Sequence, residues 1–486
     1  MDKKGCQAYI DEKSDVILKV SDTIWSYAEL SLEEYKSCAL YCDVLKKEGF
    51  AVETPVAGIE TAFAARYGSG HPVIGILGEY DALSGLSQQA GATVREEVQN
   101  GGSGHGCGHN MLGAGAMAAA FAVKKYLSEQ PAGSGTVIFY GCPGEEGGAA
   151  KAFMARDGVW KELDCALAWH PADCNQVVSG TCNSTIQTEY AFEGLASHAA
   201  AAPELGRSAL DAVGLMNTGV QYLREHMPEE ARIHYAITDA GGVSPNVVQP
   251  HAQVLYMVRS VLVRDMLKLQ ERVDNIAKGA ALMTGTKMKK KFIDGCSNTV
   301  SNQVLEELMY QNFEEAGLPS YTEDEIAYAK ALKASIAVEN DALPGFAAGE
   351  NEEIHDFVEQ ASEHGTKPLN DFLIPYWHSN YRTASSTDVG DVSWETPTVQ
   401  INTVCFVAGS PGHSWQNVSC GRTSIGHKGL LCAGKVLAGA AIDLLTKPEV
   451  LKAAREEFEK KTKTGYVCPV PEGAKPVLCG EHISFS

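Results

Sequence analysis

Four short, mostly apolar runs, separated by segments of helical character, constrain this 486-residue chain most. They lie at residues 73–77 (VIGIL), 136–140 (TVIFY), 164–169 (DCALAW) and 399–407 (VQINTVCFV). Helical segments are expected at 111–126, 147–156 and 425–445. Apolar strands alternating with helices need cover on both faces, which predicts an α/β fold: a mostly parallel sheet flanked by helices. The chain also exceeds the ~250–300 residues at which a single core stops growing, so two domains are expected.

The middle of the chain has a different rhythm. A strand at 185–192, a helix at 208–226, strands at 233–240 and 252–260, a helix at 266–283 and a strand at 287–293 make the order βαββαβ. That is the order of a ferredoxin-like unit. Helix-and-strand segments of the first kind resume after it, so it reads as an insertion. The expected division is 1–185 and 299–486 for the outer domain and 186–298 for the inserted one. Residues 7–48 read as two helices. Residues 320–375 are acidic and weakly patterned and read as a long excursion of the outer domain.

Charge and cysteine content narrow the class. A formal net charge of -21 excludes a polyanion-binding surface, so neither nucleic acid nor anionic membrane is an expected partner. The N-terminus lacks a long apolar stretch followed by small residues, and the near-apolar run 111–123 is too short to span a bilayer. A cytoplasmic protein is expected. Fourteen cysteines without a CxxC pair read as reduced core residues, with Cys107 set apart by its neighbours.

Polar residues recur just past the apolar strands. Glu79 and Asp81 follow the first, Cys142-Pro-Gly-Glu145-Glu146 the second, His170 the third, and Ser410-Pro-Gly-His413-Ser-Trp415 the fourth. Ligands of open α/β sheets bind outside the carboxyl ends of strands. The glycine-rich segment GHGCGHN at 104–110 adds Cys107 and His109, two residues apart, ahead of a helix. Cys107, His109, Glu146, His170 and His413 supply the S, N and O donors that borderline divalent metals accept. Five protein donors exceed the needs of one open tetrahedral ion, and two ions sharing ligands suit them better. In the Glu145-Glu146 pair one carboxylate can bind metal while the other takes a proton from water. Asp81 suits the orientation of a ligand.

Blander readings stand beside these. Taken singly, His170 and His413 could be ordinary buried or loop histidines. His105 and His427 suit structural roles, and Asp388 and Asp391 could be turn residues or line the crevice. GLLCAGK at 429–435 resembles a phosphate loop, but it lacks the following Ser/Thr and lies in a helical pattern. The GxGxxA run at 113–118 has no preceding strand and suits close helix packing.

GEYDAL, GHGCGHN, PGEEGG, AWHP, FEGLASHAAAAP, SPNVVQP, SSTDVGDVSW and SPGHSWQ together, and in this order, resemble the amidohydrolase branch of the aminoacylase/carboxypeptidase-type metallopeptidases. The resemblance runs from about residue 10 to residue 445. It implies a zinc-peptidase α/β domain with an inserted lid that also dimerises. It implies Cys107, His109, Glu146, His170 and His413 as ligands of two divalent ions, zinc or manganese, and Glu145 as general base. His198 would steady the oxyanion in a partner subunit's site. Asn246 and Arg259 would contact substrate, the Arg fork suiting a carboxylate. The implied reaction is hydrolysis of an N-acyl amino acid, p-aminobenzoyl-glutamate first. Aminoacylase or dipeptidase action, or a catalytically silent partner subunit, are the alternatives. A homodimer is expected, or a hetero-oligomer with a related subunit. Many relatives have Asp where this chain has Glu79, and Asp where it has Asn110.

Overall fold

The computed structural model describes residues 2–337, 343–345 and 349–478. They divide into two compact units. The larger comprises Met1–Thr181, Thr299–Arg382 and Val392–Tyr466; the smaller comprises Cys182–Asn298, Thr383–Asp391 and the tail from Val467.

A seven-stranded sheet organises the larger unit, in the order Ala51–Glu53, Phe63–Ser69, Gly135–Gly141, Val73–Gly78, Cys165–Ala172, Thr398–Val404, Gln176–Val178. The four central strands are parallel, with Ile76 opposite both Phe139 and Leu167 and Ile401 opposite Trp169. Antiparallel strands close both edges. Every residue of Val73–Gly78 and Gly135–Gly141 is buried, as expected for a sheet covered on both faces. The parallel strands therefore end together, and their carboxyl ends carry Glu79, Asp81, Glu145, Glu146 and His170.

Helices His109–Leu127 and Ser424–Thr446 pack on each other and against the sheet. Their small residues permit close approach: a Cβ on Gly115 would stand 2.6 Å from the Trp169 ring, and one on Gly434 would stand 2.9 Å from Ala118. The GxGxxA run is thus a packing surface. Ser424–Thr446 is also, among the described residues, the one helix long and apolar enough to cross a membrane, but 78% of its apolar window is buried inside the protein.

The N-terminal region holds three helices, Lys3–Glu12, Ser14–Tyr27 and Tyr35–Lys47, where two were expected. Ile10, Ile17, Val20 and Ile24 are all buried, so apolar spacing runs through the break at Lys13 and conceals it. The acidic 320–375 region contains helices Glu323–Lys333 and Glu352–Ala361. Their first turns are acidic, behind a Thr322/Glu325 capping box and an Asn351 cap, where the helix dipole favours negative charge.

The smaller unit has a four-stranded antiparallel sheet in the order Lys287–Cys296, Ser184–Glu193, His251–Ser260, Arg232–Asp239. Helices Ala209–Arg224 and Val263–Thr284 pack on it, burying Met216, Val220, Met266 and Val273 against Phe192, Val254 and Val258. This is the βαββαβ arrangement. The unit also takes in Thr383–Asp391, because the buried Asp391 accepts hydrogen bonds from Ser297 N (3.0 Å) and Ser297 Oγ (2.8 Å). Lys287 and Lys290 pair with Glu193 and Asp274 at the solvated edge of the sheet. Among the described residues no two cysteines are joined by a disulfide.

Candidate metal centre

Asp81 ties the centre together. It is fully buried, and its Oδ1 accepts from His109 Nδ1 at 2.8 Å. Its Oδ2 accepts from Ser31 Oγ and from the backbone N–H of Glu146, both at 2.8 Å. One carboxylate thus joins the first strand's loop, the PGEE turn and the His109 helix. Because Nδ1 of His109 donates to Asp81, Nε2 is the nitrogen turned toward the other donors. That atom is buried and makes no hydrogen bond. His170 follows the same logic: its Nδ1 bonds Pro171 O at 2.7 Å, and its Nε2 lies 3.3 Å from Cys107 Sγ. A histidine whose second nitrogen is held by a carboxylate or carbonyl is a preorganised metal ligand.

Gly108 precedes His109 in the left-handed region (φ 79°), and a Cβ there would stand 2.9 Å from Phe406. Only glycine suits that turn, which delivers Cys107 and His109 to one place. His413 is left-handed as well (φ 54°), an uncommon conformation for a residue with a Cβ. Its Nε2 lies 3.4 Å from Glu146 Oε2, while Glu146 Oε1 is buried without a hydrogen-bond partner.

Three overlapping donor sets result. Cys107, His109 and His170 form one; Cys107, Glu146 and His413 form a second; within each, the ligand atoms lie within 4.8 Å of one another. The two share Cys107. Glu79, His109 and Glu145 form a third set. Orphaned buried atoms, preset histidines and an S/N/O donor mixture all fit a pair of borderline divalent ions.

Burial and close charges shift the groups of the centre in different directions. Burial disfavours a charged His109, but Cys107 and Asp81 outweigh it and hold its pKa well above the usual value. Burial likewise opposes a charged Asp81, yet His109 and the hydrogen bonds pull its carboxyl down to about 2. Burial, aided by His109, pushes His170 down to about 4, so it is neutral and ready to ligate. Burial raises the Cys107 thiol and the Glu146 carboxyl, which a bound cation would reverse.

Other residues hold the centre without a legible pattern. Glu34, buried, accepts from Leu32 N (2.9 Å) and Gly144 N (2.8 Å) and so grips the PGEE turn. Burial, with Asp81 nearby, raises its carboxyl to about 8. Lys151, fully buried, pairs with Glu79 at 2.6 Å. Nothing in the local sequence marks Ser31, Glu34 or Lys151; only the glutamate after a strand, Glu79, carried a signal. His105 bonds Ile24 O (3.0 Å) and His427 bonds Asp22 (2.8 Å), both structural contacts. Asn110 bonds Ser21 and Gly421 O and anchors its helix.

His198, Asn246 and Arg259 belong to the smaller unit. His198 is exposed, and its Nδ1 accepts from the N–H groups of Ala200 (3.2 Å) and Ala201 (3.1 Å), which leaves the proton on Nε2. The backbone carbonyl of Asn246 accepts from Ala199 N at 3.0 Å, joining the two loops, and its side chain is exposed. Arg259 is half-buried and donates to Ser386 Oγ at 2.9 Å.

Residues 75–382 match the model of Peptidase family M20/M25/M40. The chain is 46% identical over 462 residues to one of the subunits of p-aminobenzoyl-glutamate hydrolase from Escherichia coli, covering 94% of this chain and 95% of that one. It is 26% identical to Xaa-Arg dipeptidase of Mus musculus, over 94% of this chain and 92% of the other. A solved dinuclear metal-binding peptidase of the M20 family from Bacillus subtilis superposes with a TM-score of 0.54 at 16% identity, over 90% of this chain and 99% of that one. That likeness is one of fold.

Proposed function

The chain belongs to peptidase family M20/M25/M40, and from that premise we propose that it hydrolyses p-aminobenzoyl-glutamate to p-aminobenzoate and glutamate. Family membership and extensive identity to a hydrolase make it a metal-dependent amidohydrolase. The substrate is the one in the name of the Escherichia coli relative. One observation carries the site assignment: two donor sets meet at Cys107, with Glu145 next in sequence to Glu146.

Two divalent ions, zinc or manganese, supply Lewis acidity at such a centre, polarising the scissile carbonyl and acidifying water. Cys107, His109, Glu146, His170 and His413 hold them, and Asp81 orients His109. Glu145 accepts the proton of the attacking water and returns it to the leaving nitrogen. His198, with its proton on Nε2, donates to the tetrahedral oxyanion in a partner subunit's site. Arg259 engages the α-carboxylate of the leaving amino acid, and Asn246 contacts the substrate. The partner is a second copy or a related subunit. Exposed Leu195, Leu205 and Val243 in the loops around His198 and Asn246 support such an interface.

The test is metal analysis of the purified chain together with turnover of p-aminobenzoyl-glutamate, other N-acyl amino acids and Xaa-Arg dipeptides, with zinc or manganese added. The expected result is two ions per chain and preference for p-aminobenzoyl-glutamate. Preference for a dipeptide overturns the substrate. A metal-loaded protein that cleaves nothing, alone or with a related subunit, overturns the reaction.

A further inference from the structure

Resting on the dinuclear reading above, we propose that Glu79 is a sixth protein ligand of the metal pair, and that buried Lys151 is the positioning residue that limits it to one donor oxygen. Glu79 Oε1 lies 2.6 Å from Lys151 Nζ, and Oε2 lies 3.3 Å from His109 Nε2. The Lys151 side chain is 0% exposed and that of Glu79 is 5% exposed. His109 Nε2, the nitrogen turned away from Asp81, is buried and makes no hydrogen bond. Two ligands of one tetrahedral ion at ~2.0–2.2 Å stand roughly 3.3–3.6 Å apart. The Glu79–His109 spacing suits a shared ion, and it is shorter than the 3.9 Å between His109 Nε2 and Glu146 Oε1.

An ion pair buried for stability alone is a poor explanation, because desolvation cancels most of its attraction and an apolar pair serves as well. Lys151 lets Glu79 join the centre without changing its net charge. A Cys107 thiolate and the carboxylates of Asp81, Glu145 and Glu146 already offset two divalent ions, and Lys151 cancels the charge that Glu79 adds. Lys151 also occupies one oxygen of Glu79, leaving the other for His109's ion and preventing bidentate capture.

The experiment compares the full chain with the double variant Glu79→Gln/Lys151→Met, which removes both charges at similar volume. Each protein is stripped and reloaded with zinc. Ions per chain are counted by mass spectrometry, and affinity is measured by competition with a chromophoric chelator. Thermal unfolding of the stripped proteins reports the fold. The expected result is a similar metal-free unfolding midpoint, with affinity for one of two zinc ions weakened about 10–100-fold. Should the double variant fail to fold, Glu79→Gln alone is expected to lose zinc affinity by the same factor. Two ions at undiminished affinity in the folded variant overturn this proposal and leave the dinuclear reading standing. A wild-type protein that takes up no zinc or manganese overturns both.

Discussion

Asp81 Oδ1 and His109 Nδ1 are joined by a buried 2.8 Å hydrogen bond, and that contact decides which nitrogen of the imidazole faces the other donors. The same carboxylate holds Ser31 and the Glu146 N–H, so one side chain sets both the orientation of the His109 ring and the position of the turn bearing Glu145. Asp81→Ala is therefore expected to weaken metal binding about 10–100-fold. Chelator competition at constant pH measures it, and undiminished affinity would remove the orienting role.

Glu145 and Glu146 are neighbours in sequence, and the proposed mechanism gives them different tasks. Glu145→Ala is expected to keep both ions and lose about 10²–10⁴-fold in kcat, whereas Glu146→Ala is expected to lose metal. Metal counts and turnover, measured on the same samples, separate the two. Near-normal turnover in Glu145→Ala would sink its role as base.

Arg259 donates to Ser386 at 2.9 Å and is expected to exchange that contact for a substrate carboxylate. Arg259→Ala should raise KM for p-aminobenzoyl-glutamate by roughly 1.5–3 kcal/mol, the strength of a charged hydrogen bond. An analogue with its α-carboxylate amidated should be a poor substrate for wild type and respond little to the substitution. Equal losses on both substrates would count against carboxylate recognition.

Asp294 supplies a pH dependence of stability. Burial and the nearby Asp388 raise its carboxyl to about 7, against the pull of Gln187 and Arg259. The folded chain then holds a proton that the unfolded chain releases near pH 4. Its contribution is complete below pH 4 and is lost as pH rises through 7. Relative to wild type, Asp294→Asn should gain up to about 4 kcal/mol between pH 4 and 8. Unfolding curves across that range test it; parallel curves would show Asp294 ionised in the folded chain.

Gly115 and Gly214 make a paired test of packing. A Cβ at Gly115 would stand 2.6 Å from Trp169, whereas one at Gly214 meets nothing within 4 Å. Gly115→Ala should destabilise by about 1–3 kcal/mol. Gly214→Ala, inside helix Ala209–Arg224, should stabilise by about 0.5–1 kcal/mol. Denaturant midpoints decide, and equal effects at the two sites would refute the close-packing account.

Much of this architecture is written locally. Buried parallel strands need continuous apolar residues, so 73–77 and 136–140 declare themselves, and donors just past them are visible as donors. The smaller unit's βαββαβ order is legible because each element has its own periodicity. The break at Lys13 was concealed because buried residues keep helical spacing on both sides of it. The capped helices within 320–375 were concealed because their acidic first turns look like loop composition.

The class of sheet, the order of elements and the chemical kinds of donor are legible from the residues alone, since these follow from periodicity and residue type within short windows. Folding is what brings Cys107 into two donor sets, turns His109 Nε2 away from Asp81 and sets Lys151 against Glu79 across 72 residues. Those relations depend on distances and angles of a few ångströms between segments far apart in the chain. They arise when parallel strands end on one edge, and no local pattern of residues encodes them.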